Sequence, residues 1–140
     1  FKVDKEILAL GGLYSLVIGL YVLFEIVVLN YRPIIMPDNT HPEASFPSSH
    51  TMLVCVIMGS AMIIIGKYVK RKKLCRALQM ICAVVIGVTV IGRLISGVHW
   101  FTDIIGGVLI SIALLSVFAG ITKGHEFSGE KESEKIESNE

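Results

Sequence analysis

His99 and Asp103 stand four residues apart in GRLISGVHWFTD, residues 92–103, where one long apolar run gives way to the next. If a helix starts there, the two side chains share one face and reach each other. An aspartate that accepts the proton of one imidazole nitrogen fixes the tautomer and leaves the other nitrogen as a nucleophile. Asp103 can equally be a first-turn carboxylate favoured by the helix dipole, with His99 an interfacial histidine. A second polar cluster, FPSSH (residues 46–50), opens another apolar run. Pro47 keeps the chain before it out of the helical region, and Ser48 or Ser49 is a good N-cap. The turn that follows offers backbone N–H groups and the positive dipole end to an anion. His50, at its rim, can give a proton to a leaving oxygen, unless it is a bystander at an ordinary helix start. Arg32, in NYRPII (30–35), and Arg93 each read singly as a snorkelling anchor. Taken together, two guanidiniums, a helix N-terminus, a His–Asp pair and a second histidine make a site for a phosphate. Such a site needs cations for the spreading charge, a nucleophile in line with the leaving oxygen, and a proton donor opposite.

Whether these residues meet depends on the runs between them. The chain has 140 residues, 53% of them hydrophobic, and a mean hydropathy of +0.69, which places it in the membrane class. Runs at roughly 7–29, 50–67, 76–93 and 102–122 are each long enough to cross a bilayer core as helices. The first is too long for a signal-peptide core and lacks a small-residue cleavage site, so it reads as a span. The expected fold is all-α, a polytopic transmembrane helix bundle with four spans. Of the 13 Lys and Arg, all but Arg32 and Arg93 fall on one side if the helices alternate. The positive-inside rule makes that side cytoplasmic. Arg32, Arg93, His50 and His99 are left together on the extracytoplasmic side, which otherwise looks poor in charge. Residues 1–122 read as the membrane domain and 123–140 as a polar, disordered cytoplasmic tail. The net charge of +1 argues against nucleic acid as a partner. Cys55 and Cys82 lie in apolar runs as small buried thiols, and Cys75 lies in a basic loop where acylation is conceivable. A zinc pair at His41 and His50 lacks a third ligand at good spacing.

The ordered set EIVVLNYRP (25–33), PSSH (47–50) and GRLISGVHWFTD (92–103) resembles the three signatures of the type-2 phosphatidic acid phosphatase superfamily. The third, with Arg93, His99 and Asp103 at the family's spacing, is the specific one, and the likeness covers about residues 25–121. It implies a lipid phosphate phosphatase of the cell membrane. In that family His99 would attack phosphorus, oriented by Asp103, and His50 would protonate the departing alcohol and then activate water. Arg32, Arg93, Ser48, Ser49 and the backbone after Pro47 would hold the phosphoryl oxygens. No metal or other cofactor is implied, and the expected partners are a lipid phosphate and the bilayer itself. Family members usually have six spans, so this chain, which starts at Phe1, is expected to lack two upstream helices. Three positions depart from the signatures. Ser49 stands for glycine and narrows the pocket, while Gly92 stands for serine and loses a hydroxyl. Glu25 stands for lysine. At ~4 Å and an effective dielectric near 20, that exchange turns about 4 kcal/mol of attraction into repulsion, unless Glu25 pairs with Arg32 or Arg93, is protonated at the interface, or meets a cationic part of the substrate. Two other functions stay open: transfer of the phosphoryl or headgroup to an alcohol, and binding of a lipid phosphate without turnover.

Overall fold

Each apolar run forms a helix. The computed structural model describes residues 2–35, 37–38 and 40–138, with the side chains of residues 2–4, 125 and 126 outside the description. Phe1, the last two residues of the polar tail and the Lys2 side chain counted among the cytoplasmic cations are therefore not described. The order is α1 (Lys2–Ile26), α2 (Ser49–Tyr68), α3 (Lys72–Ser96) and α4 (Phe101–Glu137). All four are long and apolar enough to cross a membrane, and the protein is a membrane-embedded helical bundle. Among the described residues the only β pairing is an isolated bridge between Tyr31 and Ala44.

The helices alternate in direction. Lys67 and Tyr68, at the end of α2, both hydrogen-bond the Glu6 carboxylate near the start of α1. Three residues join α2 to α3, and Gln79 Nε2 donates across that hairpin to the Met62 carbonyl at 3.1 Å. The core gathers Leu13 and Val17 of α1, Met52 and Val56 of α2, and Phe118 of α4. Polar groups inside it are satisfied locally, as burial in hydrocarbon demands. Tyr14 pairs with Ser60 at 3.1 Å, and Ser111 donates to Gly107 O at 2.7 Å. Close approach of α2 and α4 depends on Gly59, where an added Cβ would stand 2.3 Å from a Leu115 methyl. By contrast α3 turns Met80, Ile81, Val84, Val88, Ile91 and Ile95 outward, an apolar face of the kind that meets lipid. Cys55 and Cys82 are buried thiols, as their runs suggest, and the Cys75 thiol lies 3.8 Å from the Ile65 carbonyl.

Two boundaries differ from the sequence expectation. The first helix ends at Ile26 rather than near residue 29, because the chain leaves it to form an extended arm through Asn30–Arg32 that pairs with residues 43–45. The fourth helix runs on to Glu137, so the described part of the segment expected to be disordered is helical. Its Glu and Lys residues are strong helix formers, and Lys131 Nζ sits 4.9 Å from the centroid of the Phe127 ring one turn away. At 1.5 Å per residue this helix is about 55 Å long, well beyond the ~30 Å of a hydrocarbon core.

Candidate active site

Three backbone segments converge where α1 ends and α2 and α4 begin. The arm after α1 and the arm before α2 are held antiparallel by two hydrogen bonds, Arg32 N to Glu43 O at 3.0 Å and Ser45 N to Asn30 O at 2.9 Å. Asp103 joins both arms to α4. Its backbone carbonyl accepts from Ser48 N at 3.1 Å. Its carboxylate accepts from Asn30 Nδ2 at 3.3 Å and from Trp100 N at 2.9 Å. Trp100 adds a further tie, donating Nε1–H to the Tyr31 carbonyl at 2.8 Å. Asp103 is 0% exposed, so its charge is compensated by these donors and by the N-terminal dipole of its own helix. Gly107 permits the junction, since a Cβ there would press to 3.2 Å from the Ser48 carbonyl oxygen.

His99 lies in the loop that Gly97, at φ +67°, opens after α3. The ring is 7% exposed and its Nδ1 meets the Ser45 carbonyl at 3.2 Å. A carbonyl oxygen only accepts, so Nδ1 carries the proton and Nε2 keeps its lone pair. The orienting partner is therefore the Ser45 backbone. No hydrogen bond joins the Asp103 carboxylate to the ring among the described residues, which corrects the expectation drawn from the four-residue spacing. His99 lies before the N-cap Trp100, outside α4, so the four-residue helical spacing does not apply, and the buried carboxylate instead accepts from Asn30 and Trp100. Burial pushes the His99 pKa below its ordinary 6.5, and Arg32 pushes it the same way. The Ser45 hydrogen bond and the Asp103 charge oppose this, while Arg93 adds to the lowering. The ring is thus a neutral imidazole near neutral pH.

A mostly polar cavity of about 160 Å³ opens beside it, lined among others by Glu25, Arg32, Glu43, Pro47, Ser49 and His99. Arg32 reaches Glu43 with Nε 3.4 Å from Oε2, a charge contact without hydrogen-bond geometry at that nitrogen. Glu25 lines the cavity from the last turn of α1 and makes no ion pair among the described residues. The sequence suggests a face poor in charge apart from its arginines and histidines; the fold instead places Glu25 and Glu43 in one cavity. His50 is exposed and borders a second, apolar cavity of about 250 Å³ with Val17, Ile18, Met52 and Leu53. Tyr21 and Ser49 line both cavities, so the two adjoin. The charges of Arg32 and Arg93 both act on His50 and on His99, which puts the two rings in the field of the same guanidiniums.

The remaining expected residues have mixed fates. Ser48 is the N-cap of α2, as the sequence suggests, but its side chain makes no cap hydrogen bond. It is fully buried, accepts from Thr51 Oγ1 at 3.0 Å, and does not line the cavity. Ser49 does line it, and the first-turn N–H groups of α2 have no intrahelical acceptor. Arg93 is half-buried near the end of α3 and acts on the histidines from outside the cavity wall. Gly92 is exposed with open space around it. His41 is exposed in the loop. Asn30, Glu43 and Ser45 were missed by sequence reasoning. A single amide, acid or serine in a loop carries no periodic signal, and Ser45 acts through its backbone. Tyr21, Phe24 and Glu25, at i, i+3 and i+4, did carry one, since that spacing aims all three the same way.

Chemically, the cavity presents an imidazole with a bare nitrogen, a guanidinium and a helix N-terminus to one small volume. Those groups can bind a phosphate ester and attack it. No curated protein and no solved structure matches the chain. The family model of the PAP2 superfamily matches residues 27–125, a stretch that takes in both arms, the start of α2, Arg93, His99 and Asp103 but begins just after Glu25. With most of its length matched and its helical fold in accord, the chain belongs to the PAP2 superfamily, whose activity is of the phosphatase type on phosphate esters.

Proposed function

We propose that the protein hydrolyses a phosphomonoester or pyrophosphate carried by a lipid, at the extracytoplasmic face, through a phosphohistidine. The observation that carries this is the His99 ring, fixed by the Ser45 carbonyl at 3.2 Å on the wall of the cavity that Arg32 also lines. Its Nε2 lone pair attacks phosphorus and forms the N–P bond as the P–O bond to the alcohol breaks. The departing oxygen takes a proton from His50. His50 then removes a proton from water, the hydroxide attacks phosphorus, and the N–P bond breaks to release phosphate and restore His99. Arg32 and the first turn of α2 neutralise charge on the phosphoryl oxygens, and Arg93 contributes from farther off. A lipid suits the apolar cavity at His50, which adjoins the polar one and leaves room for a hydrocarbon chain beside the phosphate. The extracytoplasmic placement rests on the Lys and Arg crowded at the opposite end of the helices.

A binder without turnover is the second reading, favoured by the Glu43 carboxylate that already occupies Arg32. Phosphate release from detergent-dispersed phosphatidic acid and polyprenyl pyrophosphate, with and without chelator, separates the two. The phosphatase reading expects release that survives chelation, is abolished by His99→Ala, and passes through an acid-labile phosphoprotein. A wild-type protein that binds these lipids but releases no phosphate from either would leave only the binder.

A further inference from the structure

The polar cavity is not built for an anion alone. One guanidinium, Arg32, faces two carboxylates, Glu25 and Glu43, and one of these already engages it. By side-chain type the lining thus holds two carboxylates to one guanidinium before any phosphate arrives. Three aromatic side chains, Tyr21, Phe24 and Phe46, line the same volume. Phe24 and Phe46 fix each other edge to face, with centroids 5.6 Å apart at 83°, and Gly106 of α4 admits the Phe46 ring where a Cβ would stand 2.2 Å from it. Tyr21, Phe24 and Glu25 all stand on the last turns of α1 and line the cavity together. Carboxylate plus aromatic faces is the chemistry that receives an organic ammonium. A divalent cation is the poorer fit. Among the described residues no group of three His, Cys, Asp or Glu side chains could hold one, and ring walls offer none of the six oxygens or waters it needs.

Resting on the phosphatase reading above, we infer that the substrate is a zwitterionic phosphate ester, with an ammonium group close to its phosphate that is received by Glu25 and the aromatic wall of Tyr21, Phe24 and Phe46. The phosphate takes Arg32, Ser49 and the α2 N-terminus, and Glu43 keeps Arg32 in place until it does. The α1 position that carries lysine in the signature then serves the second charge of the same headgroup rather than the first.

The test uses two single-chain lipid phosphates of equal length in detergent. One has a free amine on the carbon next to the phosphate-bearing carbon, and the other has that amine acetylated; phosphatidic acid is the third substrate and polyprenyl pyrophosphate the fourth. The expected result is kcat/KM about tenfold higher for the free amine than for its acetylated twin, the scale of a desolvated cation–aromatic contact plus its carboxylate. Glu25→Gln is expected to bring that ratio near one, chiefly through KM, while raising turnover of phosphatidic acid. Glu25 is exposed at the end of a helix, so the variant should fold, and the wild-type ratio decides independently of it. A wild-type ratio near one, with phosphatidic acid hydrolysed, overturns this inference alone. A preference that vanishes with chelator and returns with magnesium also overturns it, assigning the carboxylates to a metal. Release from polyprenyl pyrophosphate but from none of the other three overturns this inference alone, and no phosphate from any of the four overturns the phosphatase reading and this inference with it.

Discussion

At one end of the bundle, two chain arms and the starts of two helices are laced through Asp103, Asn30 and Ser45, and Asp103, Arg32 and Glu43 are buried or half-buried against partners. At the other end, Lys67, Lys70, Arg71, Lys72, Lys73 and Arg76 crowd a three-residue link and its flanks. Glu6 is the acid that Lys67 and Tyr68 meet there. Both ends hold cations, yet they differ in what fixes a cation's position. Arg32 is half-buried, with its own backbone paired to Glu43, so its guanidinium has one place to be. The basic residues of the link are exposed and act through their number, the way charge orients a helix hairpin in a membrane. Position matters at one end and sum matters at the other.

The sharpest way to break that contrast is to remove one group from each end. His99→Ala is expected to lower phosphate release by about 10⁴-fold or more, as loss of a nucleophile does elsewhere. Arg71→Ala, at the basic end, should leave turnover within about twofold. Equal losses would mean that the laced end is not where the chemistry happens. Next in size, Arg32→Gln is expected to cost about 10²–10³-fold in kcat/KM, the scale of removing one donor to a developing oxyanion.

Proton linkage sharpens the contrast further. In the folded protein His99 binds its proton less tightly than the ordinary 6.5, so the acid limb of kcat/KM should lie below that value. Arg32 lowers this pKa, so in Arg32→Gln the limb of the residual activity should move to higher pH. Asp103 raises it, so Asp103→Asn should move the limb to lower pH, with a loss of turnover smaller than that of His99→Ala. A pH–rate profile unchanged in both variants would show that the limb belongs to another group.

How much of this was written in the sequence follows the same division. Apolar runs exposed the four helices and their alternation, because a bilayer sets both length and composition. That Arg32, Arg93, His50 and His99 gather at one end was legible, since polar residues at the ends of such runs stand out. What Asp103 does was not legible. A four-residue spacing says that two side chains can meet, whereas the partners of a buried carboxylate come from Asn30, 73 residues away, and from a backbone N–H. Ser45 orients His99 through a carbonyl that every residue possesses. The helical continuation to Glu137 is not legible in a polar, low-complexity composition, although its Glu and Lys residues are strong helix formers.

The smallest effect tests the basic end on its own terms. Glu6 bridges the start of α1 to the end of α2 through Lys67 and Tyr68, and the carboxylate is mostly shielded while the ammonium is more open. An exposed pair of this kind contributes about 0.2–1 kcal/mol, and less at high salt. Glu6→Gln keeps an acceptor for both donors and removes only the charge. It is therefore expected to shift thermal unfolding in detergent by a degree or so and to leave phosphate release unchanged. α1 is held mainly by Leu13 and Val17 in the core and by the arm that follows it, so its position at the cavity does not depend on that pair. If Glu6→Gln instead altered the free-amine preference carried by Tyr21 and Glu25, α1 would be moving as a rigid lever between the two ends, and the division between them would be wrong.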